Sequence, residues 1–104
     1  MSIKIWLDDI RPAPQDCYWA KTAKDAIFMI DTLEIDGISF DHDLGDSNGN
    51  TGYTVAQHVE KLAYLGEIQP IRYSIHSANP TGRRNIQLAM ESAQRFWDLT
   101  NKIN

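Results

Sequence analysis

Asp8 and Asp9 stand together, Asp41, His42 and Asp43 stand together, and His76 is followed by Ser77. These residue types bind cations and move protons. Carboxylate oxygens are the ligands that hard divalent ions prefer, and an unperturbed histidine titrates near pH 6.5 and serves as acid or base. Each group sits directly behind a short apolar run: Ile3-Lys4-Ile5-Trp6-Leu7 before Asp8, Ile38-Ser39-Phe40 before Asp41, and Ile71-Arg72-Tyr73-Ser74-Ile75 before His76. As parallel strands of one sheet, these runs bring their carboxyl ends to one edge, where open α/β sheets take their ligands. Several carboxylates in one cleft raise one another's pKa unless a cation neutralises them. The expected metal ligands are therefore Asp8, Asp9, Asp41 and Asp43. The expected ion is Mg²⁺, with Mn²⁺ as the alternative that neighbouring histidines admit.

Asp41, His42 and His76 are the expected catalytic residues, with a covalent role for Asp41 as the alternative to ligation. Across from them, Asn79-Pro80 marks a helix start, since proline suits the first helical position. Arg83 and Arg84 fall in that first turn, where the helix dipole disfavours cations. An anion held at the helix N-terminus accounts for them, and a metal beside a phosphate cradle points to phosphoryl chemistry. Every feature taken singly has a plainer reading. Asp8-Asp9 can cap a turn, a lone histidine is commonly a hydrogen-bonded loop or core residue, and Arg83-Arg84 can be a solvated pair. The convergence of all three strand ends is what favours a site.

The elements that must position these groups follow from apolar periodicity. Cys17-Tyr18-Trp19-Ala20 is a weak strand. Thr22 has the character of an N-cap with Asp25 in the first turn, and Ala23, Ala26, Ile27, Ile30 and Leu33 make a helical stripe. Residues 41–52 have a loop composition. A helix resumes near Thr54 with Val55, Val59 and Leu62 inward, and it stops at Gly66. Ile86, Ala89, Met90, Ala93 and Trp97 form the closing stripe. This order predicts an α/β fold, a small open parallel sheet of about four strands with helices on both faces. The link from Leu7 to Cys17, with Pro12 and Pro14 in it, is short for a parallel crossover.

The chain has 104 residues, which suits one domain over residues 1–104. Its net charge of −4 argues against extended duplex binding. No apolar run is long enough to span a bilayer, and no leader pattern opens the chain. The lone Cys17 excludes an internal disulfide and a multi-cysteine zinc site. A soluble protein of a reducing cytoplasm is expected. Residues 1–52 carry six more acids than bases and residues 53–104 two more bases than acids, a polarity that suits a cation and an anion held side by side. Asp41-x-Asp43 lacks the Thr or Val that haloacid-dehalogenase phosphatases place where Gly45 stands. The same segment has no closing glutamate for an EF-hand, and there is no P-loop and no dinucleotide fingerprint.

Ile5-Trp6-Leu7-Asp8-Asp9 resembles the acidic pair behind the first strand of receiver domains from two-component signalling. Ser39-Phe40-Asp41 resembles their phosphoacceptor strand, and Ile75-His76-Ser77 falls where they carry Ser or Thr. More specifically, WLDDIRPAP, SFDHDLG with TGY after it, and IHSANPTGR are similar to the cyclic-phosphate-processing receiver-like family, across roughly residues 3–93. The resemblance implies a receiver or flavodoxin-like sheet and the handling of a cyclic phosphate, including RNA ends. It implies Asp8 and Asp9 as metal ligands, Asp41 at the phosphoacceptor position, and His42, Asp43, His76 and Asn79 at positions distinctive of the family. Ser77, Asn79, Arg83 and Arg84 are the expected phosphate-binding residues. Two departures from ordinary receivers stand out: no helix follows the first strand, and no fifth strand brings a lysine, Lys102 lying beyond the last helix. Two functions remain open. One is a metal-dependent phosphoesterase acting on a cyclic nucleotide or a 2′,3′-cyclic phosphate end. The other is a receiver-like module that binds a nucleotide or a protein partner without turnover.

Overall fold

The computed structural model describes residues 2–103. Its elements in chain order are β1 (Lys4–Leu7), β2 (Tyr18–Ala20), α1 (Ala23–Thr32), β3 (Gly37–Phe40), α2 (Gly52–Leu65), β4 (Arg72–Ile75) and α3 (Pro80–Ile103). The strands make one open sheet in the order β2-β1-β3-β4, with every neighbouring pair parallel. Leu7 lies opposite Ala20 and Phe40, and Phe40 opposite Ile75, so the carboxyl ends of all four strands are level. The chain steps from β1 outward to β2 and returns past β1 to β3. That reversal between β1 and β3 is the switch point at which such sheets open a crevice.

The open parallel α/β sheet, without a fifth strand among the described residues, matches the expectation from sequence. Its helices, expected on both faces, pack on one. The β2-to-β3 and β3-to-β4 crossovers step the same way across the sheet, so right-handed connections place α1 and α2 together. In contact order, α1 meets α2 and α2 meets α3. Ile5, Leu7, Ile38 and Phe40 point to this side and are buried against Val55, Val59, Ile86 and Met90. Only the β1-to-β2 step runs in the opposite sense, and residues 8–17 make it as a loop with no helix. A segment of about ten residues reaches roughly 33 Å when extended, ample to return past strands this short. The second face therefore carries Lys4, Trp6, Ser39, Arg72 and Ser74 in register, lining an open groove of about 940 Å³.

Local signals set the boundaries. The Thr22 hydroxyl accepts from the Asp25 N–H at 3.0 Å, and Gly66 closes α2 in the left-handed region at φ 70°. Thr51 caps α2 and forms a reciprocal box with Thr54, so the helix begins earlier than its apolar stripe implies. The closing stripe is buried throughout, with the Trp97 indole donating to the Ile68 carbonyl at 3.1 Å. The helix α3 continues through Lys102, expected beyond it; that side chain lies outside the described residues.

Gly52 ties α2 to the sheet edge. Its N–H donates to the His42 carbonyl at 2.9 Å, and a Cβ here would fall on the Asp41 carbonyl oxygen. Because the obstruction is backbone, it cannot swing aside. Gly52→Ala is expected to destabilise by about 2–4 kcal/mol through overpacking, read as a lower urea midpoint at unchanged slope.

Candidate active site

The last backbone bonds of the sheet deliver three side chains to the switch point. The N–H groups of Asp8, Asp41 and His76 donate to the carbonyls of Ala20, Leu7 and Phe40 at 3.0, 2.9 and 2.9 Å. Each residue is thus fixed one step past its strand. One ligand atom from each of Asp8, Asp41 and His76 lies within 4.8 Å of the others. Bonds of roughly 2.0–2.6 Å to a central divalent ion span that spread.

Asp8 is 1% exposed. Its Oδ1 accepts from the N–H groups of Ile10 and Arg11, both at 2.8 Å. Its Oδ2 faces His76 Nε2 at 3.1 Å and Arg11 Nε at 3.5 Å. Burial pushes this carboxyl up, but the two N–H bonds and His76 outweigh it and hold it below the ordinary 3.8. A depressed folded-state pKa stabilises the fold fully above the ordinary value and ceases to do so as pH falls through the lower one. Asp8→Asn is therefore expected to cost about 1.5–3 kcal/mol at pH 7, the range for hydrogen bonds to a charged group. The gap from the parent protein should narrow below pH 3.8, which urea titrations at pH 7 and pH 3 would show.

Asp41, 8% exposed, uses Oδ1 to accept the His42 N–H at 2.8 Å. Its other oxygen has no protein donor among the described residues. The His76 ring stacks face to face on Trp6, with centroids 3.9 Å apart and planes 1° from parallel. Its Nδ1 lies 2.8 Å from Ser39 Oγ, and Ser74 donates to the same Oγ at 2.9 Å. Trp6, Ser39 and Ser74 all come from the open sheet face.

His42 is held differently. Its Nδ1 lies 2.9 Å from Asp43 Oδ1, and its ring rests on Gly82, where a Cβ would collide with the ring. The hydrogen bond from His42, with a further one from Asn79, outweighs the opposing effect of burial and holds Asp43 below the usual carboxylate range. An ionised Asp43 only accepts, so Nδ1 donates, and in the neutral ring Nε2 presents a lone pair. Asp43 also accepts from Asn79 Nδ2 at 3.3 Å. It is not part of the Asp8, Asp41 and His76 group. Nor is Asp9, whose Oδ2 lies beside the backbone at Gly45.

On the side expected to take phosphate, much of the bonding capacity is already engaged. Asn79 caps α3, its Oδ1 accepting the Gly82 N–H at 3.0 Å and its carbonyl the Arg83 N–H at 2.9 Å. Ser77 is buried, and its Oγ accepts the Asn79 N–H at 3.1 Å. Arg83 Nη1 donates to the carbonyls of Ile75 and Ser77 at 2.9 and 3.0 Å, clamping the turn behind β4. Arg84 is exposed. Sequence reasoning missed Arg11, although its guanidinium stands at the Asp8 carboxylate and reaches the His76 carbonyl at 3.4 Å. It also missed Trp6 and Ser39. Their signal was alternation, since both sit out of phase with the buried Ile5, Leu7 and Phe40.

A parallel sheet in this order, with an acidic pair behind β1 and a buried aspartate behind β3, defines a receiver-like α/β domain. The chain belongs to the cyclic-phosphate processing receiver domain family, which it matches over residues 3–92. No curated protein and no solved structure shows a significant match. Among the described residues, no helix is long and apolar enough to cross a membrane.

Proposed function

We propose that this domain is a divalent-metal-dependent phosphoesterase that opens a cyclic phosphate, either a cyclic nucleotide or the 2′,3′-cyclic phosphate end of an RNA. The observation that carries the reading is the meeting of Asp8, Asp41 and His76 at the switch point. Two carboxylates and an imidazole suit Mg²⁺ or Mn²⁺, with the nitrogen favouring Mn²⁺. When bound, the ion supplies Lewis-acid polarisation of a phosphate oxygen and a lower pKa for water.

The rest falls to the chain's own residues. Asp8, Asp41 and His76 would hold the ion. His42 accepts a proton from the attacking water at Nε2, and Asp43 stabilises the imidazolium that results. Arg11, the free nitrogens of Arg83, and Arg84 supply positive charge for the phosphate oxygens. Attack by water at phosphorus breaks one ring P–O bond; the leaving oxygen takes a proton from solvent, His42 returns its own to solvent, and a phosphate monoester remains. The test is incubation with 2′,3′-cyclic and 3′,5′-cyclic nucleotides and Mn²⁺ or Mg²⁺, followed by ³¹P NMR. Monoester that stops forming on chelation is the expected result. Binding without turnover at any metal concentration supports the second reading, a non-catalytic module. That alternative is favoured by one observation: Arg11 already stands where a cation would neutralise Asp8.

A further inference from the structure

We infer that Ser39 and Ser74 are positioning residues that let the His76 ring exchange one neutral tautomer for the other when a metal ion enters. This inference rests on the metal reading above and deepens it. Ring nitrogen Nε2 faces a carboxylate, Asp8 Oδ2 at 3.1 Å, and a carboxylate accepts only. In the neutral ring the proton is therefore on Nε2. Nδ1 is left as the acceptor of the Ser39 O–H at 2.8 Å, while Ser39 Oγ in turn accepts from Ser74 at 2.9 Å. Every donor and acceptor along Ser74, Ser39, His76 and Asp8 points one way.

A divalent ion needs the Nε2 lone pair, so this arrangement cannot ligate as it stands. A carbonyl or carboxylate at Nδ1 would lock that nitrogen as a donor. A hydroxyl does not, because it can donate or accept. The chain can therefore reverse as a unit: Nδ1–H to Ser39 Oγ, Ser39 O–H to Ser74 Oγ, and Ser74 O–H to water. Ser74 is exposed on the open sheet face, so its far end reaches solvent. Protons balance. Nε2 releases one to solvent, Ser39 passes its own to Nδ1 and takes that of Ser74, and Ser74 takes one from water. The ring stays neutral, and Trp6 stacked on it allows the exchange without a change of ring position. The bare face of the sheet thus has a use. A helix packed there would strand the outer hydroxyl away from water.

The test combines metal affinity with a direct view of the ring. Mn²⁺ affinity is measured by calorimetry for the parent protein, Ser39→Ala and Ser39→Thr. Loss of an outer partner of a ligating histidine weakens metal binding about 10–100-fold, and Ser39→Ala is expected to fall in that range. Ser39→Thr, which keeps the hydroxyl, is expected to restore affinity to within about threefold of the parent protein, well inside that range. Ring ¹⁵N shifts of His76 are recorded without metal and with diamagnetic Zn²⁺. The expected spectra show the proton on Nε2 without metal and on Nδ1 with it. If Ser39→Ala binds Mn²⁺ like the parent, the inference fails and the metal reading survives; if metal binds while His76 keeps its Nε2 proton, His76 is no ligand and both fail. If the parent protein binds no metal, both fail.

Discussion

Asp41→Asn is expected to lower turnover of a cyclic phosphate on the order of 10³-fold or more while leaving the fold intact. A Lewis acid contributes several kcal/mol of charge stabilisation; at about 1.4 kcal/mol per tenfold, some 4 kcal/mol corresponds to that loss. Asp41 is the aspartate whose removal separates function from folding. Its Oδ1 bond to the His42 N–H survives in the amide, and its second oxygen has no protein donor among the described residues. Asp8 cannot serve the same purpose, since its carboxylate is bound by Ile10, Arg11 and His76. With that bond kept, the metal-free variant is expected to unfold in urea at the midpoint of its parent. Lower stability with unchanged turnover would mean that Asp41 is a structural residue.

His42→Ala carries the second large effect, a fall in kcat of about 10²–10⁴-fold, the usual contribution of a positioned general base. The ring is outside the Asp8, Asp41 and His76 group, so Mn²⁺ affinity should stay within about twofold of the parent, in contrast to the 10–100-fold loss that follows damage near a ligand. That split tells a proton acceptor from a ligand. Of the two site histidines, only His42 has a ring nitrogen left over. His76 has both engaged, by Ser39 and by Asp8. Equal loss of Mn²⁺ affinity and kcat in His42→Ala would reassign His42 to the metal.

Much of this site was legible in the chain. Apolar runs ending in Asp8, Asp41 and His76 identified strands and their exits, and parallel pairing did the rest, because level carboxyl ends bring distant residues together. What the residues did not disclose was the finer placement. Which member of Asp8-Asp9 turns inward depends on the N–H groups of Ile10 and Arg11 folding back onto Oδ1, a turn geometry that composition does not specify. His76 was read as an acid or base. Its position between Asp8 and Ser39 depends on sheet register, through a partner 37 residues away. Asn79 was expected to face phosphate but satisfies its own helix start. The helices on one face follow from a single missing crossover helix, whose absence was noticed but whose consequence for the second face was not drawn.

The central claim is tested most directly by a crystal structure with Mn²⁺ soaked in, located by anomalous scattering. One ion is expected at the switch point, with oxygens of Asp8 and Asp41 and a ring nitrogen of His76 at roughly 2.0–2.6 Å and the Arg11 guanidinium displaced from Asp8. An ion bound instead by Asp9, Asp43 or Asp46, or Arg11 still seated at Asp8 with no ion beside it at saturating Mn²⁺, would contradict it.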